Sequence, residues 1–149
     1  MSQSFFGRPM EILLIEDSQA DATVTMRSLK AAKIRHRLSI VIDGEEALRF
    51  LFREAPFNRA PRPDLILLDL QLPKMDGREL LKEIRSHEKL AETPVVVMTS
   101  TDEHEEMIRE EQLQVEAYIA KPIDQDAFIA LVRELKSHWQ ADVILPVNA

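Results

Sequence analysis

The chain has 149 residues, 26 acidic against 19 basic side chains, a net charge of −7 and no cysteine. That length makes one domain with room for a packed core, and the missing cysteines exclude disulfides, thiolate nucleophiles and cysteine-rich zinc sites. The acidic balance opposes a polyphosphate partner, so direct nucleic-acid binding is not expected; no apolar run nears the roughly 18 residues of a membrane span, and residues 1–9 lack a basic leader, so a soluble, cytoplasmic protein is expected.

Residues 11–15 are an apolar, partly β-branched strand that stops abruptly at Glu16-Asp17-Ser18. A helix over 20–32 follows, with Ala22, Met26 and Leu29 on one face. A second strand covers 38–42 and closes at Asp43-Gly44, after which Ala47, Leu48, Leu51 and Phe52 mark the inner face of a second helix. Residues 54–63 hold three prolines and exceed a minimal connection, which predicts a surface loop or small insertion in which Phe57 can anchor.

Residues 65–68 are four consecutive apolar residues that lead into Asp69, which suits a central parallel strand with an acid at its C-terminal end. A third helix carries Leu80, Leu81 and Ile84, and 93–98 form a fourth strand that ends in Thr99-Ser100-Thr101. A short acidic helix is expected over 102–111 and a fifth strand over 117–120. A last helix should run from 124 to about 139, with Phe128, Leu131, Val132, Leu135 and Trp139 on one face.

Strands and helices alternate five times, which predicts an α/β, doubly wound, flavodoxin-like parallel sheet. In the strand order 2-1-3-4-5 the switch point falls between the first and third strands, and Glu16, Asp17 and Asp69 meet there. Clustered carboxylates repel and need a cation; a hard divalent ion such as Mg²⁺ accepts oxygen ligands and leaves room for a phosphoryl group. Asp69 is then a candidate nucleophile, Asp17 a direct metal ligand, and Glu16 a ligand directly or through water. A transferred phosphoryl group also calls for a hydroxyl donor and a second cation, and Thr99 and Lys121, each after an apolar strand, answer that description.

Glu16-Asp17, Asp69, the run Leu72-Pro73-Lys74-Met75-Asp76-Gly77, Thr99 and Lys121-Pro122 together resemble a receiver domain of a two-component response regulator, the CheY-like (βα)5 class. The resemblance spans about residues 11–138 of a single domain, with 139–149 as a short extension. It implies that Asp69 accepts a phosphoryl group from the phosphohistidine of a sensor histidine kinase in a self-catalysed step. It implies as well that the backbone carbonyl of Gln71 completes the metal shell, that Thr99 reorients toward the phosphoryl group and that Tyr118 turns inward. Autodephosphorylation belongs to the same class, tuned where Gln71 and Thr101 stand. The chain departs from the family in carrying Ser100 where alanine is common and Glu16 where aspartate is commoner.

About ten residues follow Trp139, so output is expected through binding, with the fourth helix, fifth strand and fifth helix as the readout surface. The apolar tail 139–146 is read equally as folding back on its own domain or as packing in a homodimer. The tail and the proline-rich loop resemble small stand-alone regulators that serve cyanobacterial phytochromes, which implies a phytochrome-type kinase and homodimers. An aspartyl-phosphate phosphatase would want an acid where Gln71 stands, and a flavin module would want a phosphate loop where Glu16-Asp17-Ser18 would repel it. A phosphate-independent receiver-like scaffold is the remaining alternative. His36, His87, His104 and His138 show no ligand spacing and are read as solvated. Glu103, Glu105, Glu106, Glu110 and Glu111 are read as a solvated acidic face.

Overall fold

The protein is described by a computed structural model covering residues 8–100 and 114–139. The strands are β1 (Met10–Ile15), β2 (His36–Val41), β3 (Leu65–Asp69), β4 (Val95–Ser100) and β5 (Ala117–Lys121). The helices are α1 (Gln19–Ala31), α2 (Gly44–Leu51), α3 (Gly77–Ser86) and α4 (Gln125–Glu134), with a 3-10 turn at Lys136–His138. The short helix expected over 102–111, Thr101, His104, the acidic face from Glu103 to Glu111 and the tail beyond Trp139 lie outside the described residues, so α4 is the helix counted fifth from the sequence.

All strand pairs are parallel and the order is β2-β1-β3-β4-β5, as expected. In the register Ile12 to Ile15 pair with Leu65 to Leu68, and Asp69 pairs with Met98. Alternate residues of the buried strands feed two cores. Ile12, Leu14, Leu65, Leu67, Val96 and Met98 face Ala22 and Leu29 of α1 and Phe128 and Val132 of α4. Leu13, Ile15, Ile66, Leu68, Val95 and Val97 face Ala47, Phe50 and Leu51 of α2 and Leu80, Leu81 and Ile84 of α3. With helices on both faces, the central strands read as continuous apolar runs.

Several boundaries differ from the sequence expectation. Thr99 and Ser100 lie inside β4, paired with Ala120 and Lys121, because ladder pairing continues past the apolar run. The last helix stops at Glu134 with Leu135 as its cap; Trp139 sits beyond the 3-10 turn, where it packs against the first core and donates its indole N–H to the Asp64 carbonyl at 2.6 Å. Phe50, missing from the expected face of α2, is buried, whereas Leu48, Phe52 and Met26 are half-buried. Phe57 anchors the proline-rich loop as expected, its ring 5.5 Å from that of Phe50. Two histidines correct the solvated reading. His36 is half-buried with Nδ1 2.6 Å from the Ile34 carbonyl, and His87 is half-buried against the Phe52 ring at 4.9 Å; His138 is exposed.

Candidate functional site

Three turns at the C-terminal edge of the sheet build the site. After β1 the chain enters α1 through Ser18, whose hydroxyl accepts from the Asp21 amide while its own amide donates to Glu16 Oε2 at 3.2 Å. This cap folds Glu16 back against the sheet, where it is 1% exposed; Asp17 stays in solvent. β3 ends in Asp69, whose Oδ1 accepts the Gln71 amide at 2.9 Å. β5 ends in Lys121, which enters a cis peptide with Pro122.

The β3–α3 turn is pinned from two sides. Gly77 lies so close to Leu70 that a Cβ there would come within 2.6 Å of the Leu70 Cα. Gly44, at the start of α2, packs against Met75, and a Cβ would fall 2.7 Å from the Met75 Cβ. Lys74, with φ of 70°, reaches the buried Asp43 at 3.5 Å. These close approaches explain both glycines by space.

Lys121 is the hub. Its ammonium donates to Glu16 Oε1 at 3.0 Å, Asp21 Oδ2 at 3.0 Å and Asp69 Oδ2 at 3.1 Å, one carboxylate for each of its three protons. Burial works against its charge, but Glu16, Asp21 and Asp69 outweigh that cost and push its pKa above the ordinary lysine value. Glu16 responds oppositely. Burial, reinforced by the neighbouring Asp69 carboxylate, lifts its pKa from 4.5 to about 7 against the pull of Lys121.

Carboxylate oxygens of Glu16, Asp17 and Asp69 lie within 4.8 Å of one another, a span that suits a single hard cation with oxygen ligands. The donor set fits as well as the spacing: counted with Asp21, four acids face one lysine, and a divalent ion offsets the remaining negative charge. Thr99 is 2% exposed, one residue past the register partner of Asp69. Tyr118 is half-buried against the α2–α3 side of the sheet. Gln71 is exposed, with its amide on Asp69. The structure therefore joins Glu16, Asp17, Asp69 and Lys121 at one point, as expected. It adds Asp21, which sequence reading missed: an acid in the first turn of a helix is already explained by the helix dipole, and only the fold brings Lys121 to it.

Residues 12–133 match the response regulator receiver domain. The chain belongs to that family. This receiver domain is 41% identical to response regulator Rcp1 of Synechocystis sp. over 138 residues, 93% of this chain and 94% of Rcp1. It is similar to the Mn²⁺-bound form of Rcp1, with TM-score 0.69 and 40% identity over 93% of this chain and 100% of that one. It is similar also to the phosphorylated cyanobacterial phytochrome response regulator RcpA, with TM-score 0.69 and 36% identity over 93% and 99% of the two chains. The bacteriophytochrome response regulator RtBRR gives TM-score 0.78 and 36% identity over 89% of this chain and 81% of that one. Receiver domains bind a divalent metal, and the acidic cluster of this one has the composition for it. No helix among the described residues is long and apolar enough to cross a membrane.

Proposed function

We propose that this receiver domain, a single unit with its core over about 11–138 and an extension over 139–149, is a stand-alone response regulator phosphorylated on Asp69 by a sensor histidine kinase of the phytochrome type. The observation that carries the reading is the Asp69 carboxylate at the mouth of the switch point, one oxygen 3.1 Å from the Lys121 ammonium and the other 2.9 Å from the Gln71 amide. A carboxylate so oriented can attack phosphorus: the new O–P bond forms as the P–N bond of the phosphohistidine breaks, and the bonding pair leaves with the imidazole. Glu16, Asp17 and Asp69, with the Gln71 carbonyl, would hold Mg²⁺, which when bound neutralises phosphoryl oxygens during transfer.

Lys121 remains to pair with the phosphoryl group, and the buried Thr99 supplies the hydroxyl that reports its presence. Thr99 and Tyr118 lie on adjacent strands, β4 and β5, so movement of one is passed to the surface by the other. That surface, from β5 to α4, is where we place partner binding or homodimerisation. The similarity to Rcp1 and RcpA over nearly their whole length supports the stand-alone reading, and the phytochromes named for RcpA and RtBRR support the light-sensing kinase. A kinase that draws on ATP puts the chain in the cytoplasm.

The test is intact mass after incubation with acetyl phosphate, with and without Mg²⁺, on the wild type and Asp69→Asn. A Mg²⁺-dependent gain of one phosphoryl group, absent from the variant, is expected. No gain by the wild type under any condition would replace this reading with a phosphate-independent interaction module.

A further inference from the structure

The acid that no receiver motif accounts for is Asp21. Among the three carboxylates on the Lys121 ammonium, Glu16 and Asp69 have side chains 0% and 12% exposed, whereas Asp21 is 49% exposed. It also lines a cavity of about 260 Å³ shared with Lys121, Ser100 and Pro122. Asp21 therefore puts a negative charge on the solvent side of the lysine that touches Asp69; because the two carboxylates share one ammonium, at 3.0 and 3.1 Å, that charge stands close to the oxygen that would attack phosphorus.

We propose that Asp21 selects phosphoryl donors by the charge of their leaving group, disfavouring those that release an anion and admitting those that release a neutral amine. The proposal rests on Asp69 being the phosphoacceptor. In every case an Asp69 oxygen forms the O–P bond, the bond from phosphorus to the leaving atom breaks, and its electron pair departs with the leaving group. From acetyl phosphate the pair departs on acetate, so negative charge grows beside the Asp21 carboxylate and is repelled. From an N-phosphorylated imidazole protonated on its other nitrogen, the pair cancels the ring's charge and neutral imidazole leaves. Phosphoramidate protonated on nitrogen follows the second course and releases ammonia. Its cationic nitrogen is attracted to Asp21 on approach and becomes neutral, never anionic, as the pair arrives, whereas the acetyl phosphate oxygen starts neutral and ends as an anion. The site thus discriminates against small acyl phosphates while it stays open to phosphohistidine, which keeps the regulator responsive to its kinase.

Asp21→Asn removes the charge but keeps an oxygen for Lys121, and the capping bond to Ser18 comes from the backbone amide, so the fold should persist. Second-order phosphorylation rate constants, measured with acetyl phosphate and with phosphoramidate well below donor saturation and in saturating Mg²⁺, give the ratio that decides. In Asp21→Asn the acetyl phosphate rate should rise relative to phosphoramidate by roughly fivefold, the size expected for one charge a few ångströms away near solvent. Asp21→Glu should keep the wild-type ratio, and Asp21→Ser, a second neutral variant, should move it in the same direction as asparagine. The wild-type to asparagine difference should shrink at about 1 M salt, where exposed charges are screened. Equal changes with both donors would reduce Asp21 to a holder of Lys121 and overturn the proposal, as would a ratio that falls. Failure of the wild type to be labelled by either donor would instead overturn the phosphoacceptor reading on which it stands.

Discussion

Glu16 and Lys121 make the site's stability depend on pH in a direction opposite to that of most carboxylates. In the metal-free protein Glu16 holds its proton up to about pH 7, while in the unfolded chain it ionises near 4.5. Below the lower value the group is neutral in both states and its preference for the folded state is fully expressed. Between the two values the unfolded chain releases the proton first, so stability falls as pH rises through about 7 and then levels off. In chelator, the melting temperature should therefore drop from pH 5 to pH 8; Glu16→Gln should flatten the slope, and Mg²⁺ should lift the upper end. Lys121→Met removes the cation from three carboxylates at once. In chelator at pH 8 it should cost on the order of 2–3 kcal/mol, and less at pH 5, where Glu16 is protonated. Urea denaturation at the two pH values checks both the size and the sign. At this scale the sequence was legible wherever a strand run ended in a polar residue, which marks Glu16, Asp17, Asp69, Thr99 and Lys121. Asp21 was not legible, because its partner is 100 residues away along the chain.

Among the elements, the β3–α3 turn depends on two glycines that face different obstacles. A Cβ on Gly44 meets the Met75 Cβ, which no rotamer change moves, so the stretch of turn carrying Met75 must give; one on Gly77 meets the Leu70 backbone, which cannot move without pulling on Asp69 next to it. Gly77→Ala should therefore destabilise by roughly 1–3 kcal/mol and Gly44→Ala by less, as read by chemical denaturation. The same order should appear in Mg²⁺ affinity measured by calorimetry, since the turn also carries Gln71. The five strands and their order were readable from apolar runs and from alternation with helices. Helix ends and exposure were less so. Ile40 and Ile42 look like core residues in the sequence yet are 43% and 53% exposed, because β2 is the sheet's edge strand and Ile42 lies just past its end. Phe50 escaped because one aromatic in a short helix fits two faces, and only the loop bearing Phe57 decides between them.

Across the whole molecule the two ends of the sheet do different work. The acidic cluster and the phosphoryl chemistry proposed for it sit at the C-terminal ends of the strands, and the opposite end is tied by Asp64 just before β3. Its carboxylate takes a two-pronged bond from Arg8 at 2.7 and 2.8 Å and the Glu11 amide at 2.8 Å, while its carbonyl takes the Trp139 indole. One residue thereby joins the segment before β1, the central strand and the segment after α4. Trp139 is the only tryptophan, so its emission reports this end of the sheet alone. Trp139→Phe keeps the ring against the first core but leaves the Asp64 carbonyl without its indole donor, which should lower stability by about 1 kcal/mol. Because β3 lies between the tie and Asp69 as a fully buried strand, that loss should not reach the site. The variant should be phosphorylated by acetyl phosphate at the wild-type rate while unfolding at a lower urea concentration. A rate that fell together with stability would mean instead that the two ends of the sheet communicate through β3, and that the C-terminal segment takes part in the switch.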